Sequence, residues 1–148
     1  MRMRSDPATA RFTIGALARQ ADVAIDTVRY YERQGLLPPA PRRASGYREY
    51  DAAAVQRVRF IRRAKELGFS LEEIGELLAL QDDRVHGVEG IKQRASARLQ
   101  ALDRRIAELT EMRNTLAALV EECPGRGAPD ACPILGDIRG DAAGEPSR

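Results

Sequence analysis

From Phe12 onward, apolar positions recur by threes and fours, which predicts a succession of helices rather than strands. Ile14, Leu17 and Ala18, then Val23, Ile25 and Val28, mark two short helices around the polar break Gln20-Ala21-Asp22, with Asp26 placed to cap the second. Neither is long enough to stand without packing. Gly35 and Pro38, Pro39 and Pro41 end the second helix, because glycine supplies a left-handed stop and proline cannot continue a helix. The stretch to Tyr50, turning at Ser45-Gly46, reads as a small β-hairpin or wing. Asp51 then caps a third helix with Val55, Val58, Phe60, Ile61 and Ala64 inward, ending at Gly68. Ser70 and Glu73 stand at capping-box spacing and open a fourth, with Ile74, Leu77 and Leu78 inward.

The longest periodic segment runs from about Val88 to Glu121, with apolar residues at Ile91, Ala95, Leu99, Leu102, Ile106, Leu109, Met112, Leu116 and Leu119. As a helix it would be a rod about 51 Å long with one narrow apolar seam and charged flanks. So small a chain cannot cover that seam by itself, so a second copy in a coiled coil is the natural partner. Antiparallel or parallel pairing would cover the seam, and antiparallel pairing is expected. The fold expected is mainly α: a winged helix-turn-helix, a helix pair, and a long antiparallel coiled-coil dimerisation helix. The boundaries are a mobile arm at 1–11, a DNA-binding domain at 12–81, the dimerisation helix at 82–122, a loop and short apolar turn at 123–139, and a disordered tail at 140–148.

Composition narrows the class. Hydrophobic residues make up 43% of the 148, yet aromatics reach only 5% and tryptophan is absent, which suits amphipathic helices better than a β-sandwich. The net charge of +2 conceals an asymmetry: residues 1–66 carry 14 Lys and Arg against 7 Asp and Glu, whereas residues 67–148 carry 10 against 15. An anionic partner for the first half follows. No apolar run approaches the roughly 18 to 20 residues of a membrane span, and the N-terminus lacks a secretory apolar stretch, so a cytoplasmic protein without membrane attachment is expected. There is no phosphate-cradling glycine loop and only one histidine, which leaves an enzyme poorly supplied.

The basic and phenolic residues cluster around the second helix and the wing. A recognition helix turns its N-terminal residues, here Asp26 and Thr27, toward base edges, while arginines, tyrosines and amides nearby hold phosphates. Arg29, Tyr30 and Tyr31 on the helix, and Arg42, Arg43, Gly46, Tyr47 and Arg48 on the wing, are the candidates for that second task. The competing interpretation makes Tyr30 and Tyr50 core aromatics and the arginines a solvated face. Helix pair, wing and basic half occur together, which favours double-stranded DNA as the partner.

The strings FTIGALARQADVAIDTVRYYERQGLL, SGYREYD and IRRAKELGFSLEEIGELL closely resemble the MerR-type transcriptional regulators, and the resemblance extends over residues 12–139. It implies a homodimer on a dyad-symmetric promoter element. Arg29, Tyr31, Tyr47, Arg48 and Arg62 match the family's backbone-holding positions, and Asp26 and Thr27 its base-reading ones. It also implies that the liganded dimer bends and untwists an over-long promoter spacer for RNA polymerase, so that DNA deformation carries the signal.

Cys123 and Cys132 are the only cysteines, separated by eight residues rich in proline and glycine. Such a loop lets two thiolates converge on one soft ion, with a reversible disulfide or inert thiols as the alternatives. The string CPGRGAPDACPIL resembles the metal loop of metal-sensing MerR-type proteins and implies one metal ion per loop. In that family a cysteine at the start of the dimer helix accompanies sensing of divalent ions, and a serine there accompanies monovalent ones. This chain has Val88, which matches neither pattern and offers no donor. Two thiolates then have to suffice, which suits Cu(I), Ag(I) or Au(I) and also Hg(II). Cu(I) is the first choice, with Hg(II), Zn(II), Pb(II) or Cd(II) as the divalent alternative and a thiol-redox regulator as the other. His86, beside the same helix start, is an accessory ligand candidate and equally an exposed turn residue.

Overall fold

In a computed structural model of the chain, which describes residues 10–42, 44 and 46–141, the helices form where the apolar spacing puts them. Two units are distinct, residues 1–98 and 99–148. In the first, strand β1 (Arg11–Phe12) leads into α1 (Ile14–Ala21) and α2 (Ile25–Arg33); β2 (Tyr50–Asp51) then leads into α3 (Ala52–Glu66) and α4 (Leu71–Gln81). Helix α5 (Gly87–Glu122) starts in this unit and continues through the second, which ends in a 3-10 turn (Pro129–Ala131) and α6 (Pro133–Ile138).

The core of the first unit is made by residues of every helix from α1 to α4. Leu17, Val28, Leu37, Tyr50, Val58, Ile61 and Ile74 are almost wholly removed from solvent. Full burial of such a side chain contributes about 1.5–3 kcal/mol, so this cluster holds together helices too short to persist alone. Three helix starts carry side-chain caps: Thr13 Oγ1 accepts from Ala16 N, Asp51 Oδ1 from Ala54 N, and Ser70 and Glu73 form a reciprocal capping box. Helix α2 begins at Ala24 without a side-chain cap, so Asp26 is not its cap; it lies in the first turn, where a carboxylate opposes the positive end of the helix dipole. Between α1 and α2, Asp22 adopts a left-handed backbone (φ 57°), a conformation a short polar side chain tolerates.

The wing is smaller than an independent hairpin. Among the described residues its arms meet at one antiparallel bridge, Arg42 with Arg48, followed by Glu49 N–H donating to Pro41 O at 3.2 Å. The regular pairing lies instead between β2 and β1, Arg11 opposite Asp51 and Phe12 opposite Tyr50. Arg11 is therefore a strand residue and not part of a mobile arm; residues 1–9 of that expected arm fall outside the described residues. The expected tail is described only through Asp141. The dimerisation helix was expected from residue 82, but α4 ends at Gln81 and a turn intervenes. Asp83 Oδ1 accepts from Val85 N and His86 N there, and the helix begins at Gly87.

Glycine is required at that start. A Cβ on Gly87 would lie 2.2 Å from the carbonyl oxygen of Leu80, and one on Gly90 would lie 2.7 Å from Leu80 Cδ2. In the second unit the seam of α5 lies open: Leu99, Leu102, Ile106, Leu109, Met112, Leu116 and Val120 are 37% to 62% exposed in the single chain.

Candidate functional site

Helix α2 and the wing enclose a cleft of about 440 Å³, lined on one side by Arg29, Glu32 and Arg33 and on the other by Arg42, Tyr47 and Arg48. Its floor reaches Tyr50 and the start of α1 at Thr13 and Ile14. Four guanidinium groups around one carboxylate leave it strongly positive, a surface suited to phosphate oxygens. Tyr47 is 74% exposed at its rim. Arg29 is exposed and paired only loosely with Asp26, at 3.5 Å, and Arg33 lies 5.9 Å from the Tyr30 ring centroid.

The remaining candidates fall in different settings. Asp26 and Thr27 occupy the first turn of α2, where the Asp26 side chain is almost wholly solvent-exposed. Tyr31 is 4% exposed and its ring belongs to the core; burial raises its hydroxyl pKa, and the nearby charge of Arg62 works the other way. Arg62 is engaged with Asp22 at 3.3 Å and Glu66 at 3.4 Å. Both are surface ion pairs worth little, so a phosphate could displace them at small cost. Arg43 lies outside the described residues; Gly46 (φ +86°) turns the wing, where a Cβ would be strained.

Sequence reasoning passed over Arg33 and Thr13. The i, i+4 spacing from Arg29 puts Arg33 on the same helical face and could have found it. Other arginines of the basic half are structural. Arg57 Nε donates to Leu36 O at 2.6 Å, and Arg59 donates twice to Gln20 O, at 3.1 and 2.8 Å, fixing the segment that follows α2 and the last turn of α1 that precedes it.

The second candidate site is the cysteine pair. Both thiols are free and half-buried, with their sulfurs 3.9 Å apart. Cys123 follows α5 directly, while Cys132 closes the 3-10 turn and precedes Pro133, the first residue of α6. The Cys132 side chain makes no full cap hydrogen bond, yet it lies at the open start of α6. The N–H of Leu135, chiefly, favours its thiolate, helped by that of Ile134, by Cys123 and by the charge of Arg139; desolvation works against them. The net effect holds the Cys132 thiol below its ordinary pKa.

Two thiolates 3.9 Å apart fit a soft ion. Metal–sulfur bonds of about 2.3 Å span about 4.6 Å in a straight line and about 3.8 Å at a tetrahedral angle, so the pair is close to closing on one ion. No group of three or more His, Cys, Asp and Glu that could hold a metal occurs among the described residues. His86 and Val88 are exposed beside the start of α5, and Asp83 spends one carboxylate oxygen on the turn before it. None of the described helices is long and apolar enough to cross a membrane.

Comparison with known proteins agrees with this arrangement. Residues 12–81 match the MerR HTH family regulatory protein model, and residues 55–119 match the MerR DNA-binding model. Heavy metal-dependent transcription regulator 2 of Rhizobium meliloti is 42% identical over 130 residues, covering 88% of each chain. Among solved structures, the transcription regulator PbrR691 of Ralstonia metallidurans, in complex with lead(II), superposes with a TM-score of 0.74 at 33% identity, covering 86% of this chain and 98% of that one. MerR of Bacillus megaterium, in complex with mercury(II), gives 0.68 at 33% identity, covering 86% and 99%. This chain belongs to the MerR family of helix-turn-helix transcriptional regulators, and is a regulator rather than an enzyme.

Proposed function

We propose that this regulator binds a dyad-symmetric promoter as a homodimer and activates transcription by RNA polymerase when one soft metal ion is held by Cys123 and Cys132. The observation that carries the reading is the pair of free thiols 3.9 Å apart, on the loop that directly follows α5. A metal bridging them would order that loop against the end of α5 and bias the dimer between two DNA geometries, distorting the promoter in one of them. Asp26 and Thr27 would read base edges. Arg29, Arg42, Arg43, Arg48 and Tyr47 would hold phosphates, with Arg62, the backbone around Gly46 and the phenol of Tyr30 in support, while Tyr31, buried in the core, would pack behind them.

Cu(I) or another monovalent ion is the first choice, because two thiolates suffice for two-coordinate ligation and no further donor accompanies them among the described residues. The single negative charge left on such a complex is partly offset by Arg139, whose charge already acts on Cys132. A divalent ion is the second reading. The sulfur separation suits it, since two corners of a tetrahedron need scarcely any opening of the pair, whereas linear ligation needs about 0.7 Å. Since His86 and the cysteine loop stand at opposite ends of α5 within one chain, His86 of a second copy, brought beside the loop by antiparallel pairing of the two long helices, would then enter the ligand set, with Val88 beside it.

The test is competitive titration of the reduced protein with Cu(I), Zn(II) and Hg(II), counting ions per dimer, beside metal-dependent transcription. Cys123→Ser is expected to retain specific DNA binding and lose induction. Induction that survives this change removes the loop as sensor. Thiols lost on mild oxidation without any metal response would hand the pair to redox sensing.

A further inference from the structure

Among the described residues lining the cleft between α2 and the wing, Glu32 is the one carboxylate set among four arginines. A negative charge there opposes the anion that the cleft is built to receive, and its side chain is only 14% exposed, so solvent screens it little. Simple affinity for phosphate would be better served by a neutral residue.

The contacts of Glu32 show what offsets that cost. One carboxylate oxygen accepts from the hydroxyl of Tyr50, and the other faces Arg48 Nη1 at 3.4 Å. Tyr50 is a core residue in β2, and the next residue, Asp51, caps α3. Arg48 is the wing residue that bridges to Arg42. A single side chain on α2 thus joins the wing, strand β2 and the entry to α3. Without it, the one bridge and the Glu49–Pro41 hydrogen bond would be the main-chain ties within the described wing.

We propose that Glu32 is a positioning residue for DNA recognition: it presets the Arg48 guanidinium and the wing against α2, giving up some general attraction for phosphate in exchange for a fixed contact geometry. This rests on the reading that the cleft faces DNA. A held guanidinium meets a phosphate only where the duplex presents one in register, which promotes discrimination, whereas a loose one attracts any duplex. Glu32→Gln keeps the size and the acceptor for Tyr50 but loses the charge that holds Arg48.

The experiment uses the full-length protein, a duplex selected by it from a random-sequence library, and a scrambled duplex of equal length. In Glu32→Gln the affinity for the scrambled duplex is expected to hold or rise. The ratio of selected to scrambled affinity is expected to fall roughly five- to tenfold, the net worth of one hydrogen bond. In an Arg48→Ala background the same change is expected to move that ratio less than about twofold, since the held partner is gone. A ratio preserved in Glu32→Gln, or a fall of equal size in both backgrounds, overturns the proposal and leaves Glu32 a structural buttress. Should the amide fail to fold, Glu32→Asp, which withdraws the carboxylate by one methylene, carries the same expectation. A wild-type protein that selects no duplex would instead sink the DNA reading, a failure seen before any variant is made.

Discussion

Arg98, on α5, donates from Nε to the backbone carbonyl of Leu67 at 2.9 Å, where Leu67 is the C-cap of α3. The last carbonyls of a helix lack intrahelical partners, and a guanidinium placed there satisfies one of them and meets the negative end of the dipole. A second link, Arg94 Nε to Glu76 Oε2 at 2.9 Å, ties α5 to α4. The start of the long helix is thereby fastened to two helices of the DNA-binding lobe.

Gly68 makes room for the first of these links. Its φ is +88°, and a Cβ there would fall 2.0 Å from Arg98 Nη2. Gly68→Ala is expected to destabilise the protein by about 1–3 kcal/mol, from left-handed strain and a displaced guanidinium, and Arg98→Ala by about 1 kcal/mol. The double variant should cost less than the sum, because Arg98→Ala removes the clash. Chemical denaturation of the three proteins measures this, and strict additivity would show that the contact is idle.

The capping box of α4 gives a pH-dependent contribution. The backbone N–H of Ser70, and secondly its side chain, hold the Glu73 carboxyl below its ordinary pKa. A depressed folded pKa means the stabilisation is complete above the unfolded value of about 4.3 and is lost as pH falls through the folded one. Ser70→Ala is expected to cost about 1 kcal/mol at neutral pH. Glu73→Gln should flatten the loss of stability on acidification, measured by denaturation between neutral pH and pH about 3.

The Cys132 thiolate is favoured first by the N–H of Leu135. Alkylation of Cys132 by iodoacetamide is expected at pH values below the ordinary thiol range of about 8.5, followed by peptide mass mapping. Leu135→Pro deletes that donor in the first turn of α6, where proline is tolerated, and should move the reaction to higher pH. An unchanged profile would mean that the amide has no hold on the sulfur.

Ile106 is 60% exposed on the α5 seam of the single chain. If a second copy covers that seam, Ile106→Asp buries an unpaired charge at the interface and should weaken self-association at least tenfold. Sedimentation should then find monomer where the wild type is dimeric. The melting of residues 12–81 should change little, because no core residue of that lobe is altered.

Apolar spacing, caps and breakers specified α1 to α5 in the sequence, because those signals act within three or four residues of one another. Asp51 and the Ser70–Glu73 pair cap α3 and α4 locally, and the cysteine pair is legible because its loop closes over eight residues, whereas Thr13, the cap of α1, was passed over and Asp26 does not cap α2. The pairing of β1 with β2 was not legible, since Arg11 and Asp51 meet across a long stretch of chain that only a packed core brings together. Nor does a charge count separate arginines that can meet an anion from those, such as Arg57 and Arg59, that hold main-chain carbonyls far away in sequence. Tyr31 and Tyr47 look alike as letters, yet one is buried and the other stands at the rim of the cleft. Glu32 reads in the sequence as an ordinary helix-surface acid; burial beside Tyr50 and Arg48, which only the tertiary structure decides, turns it into the tie between α2 and the wing.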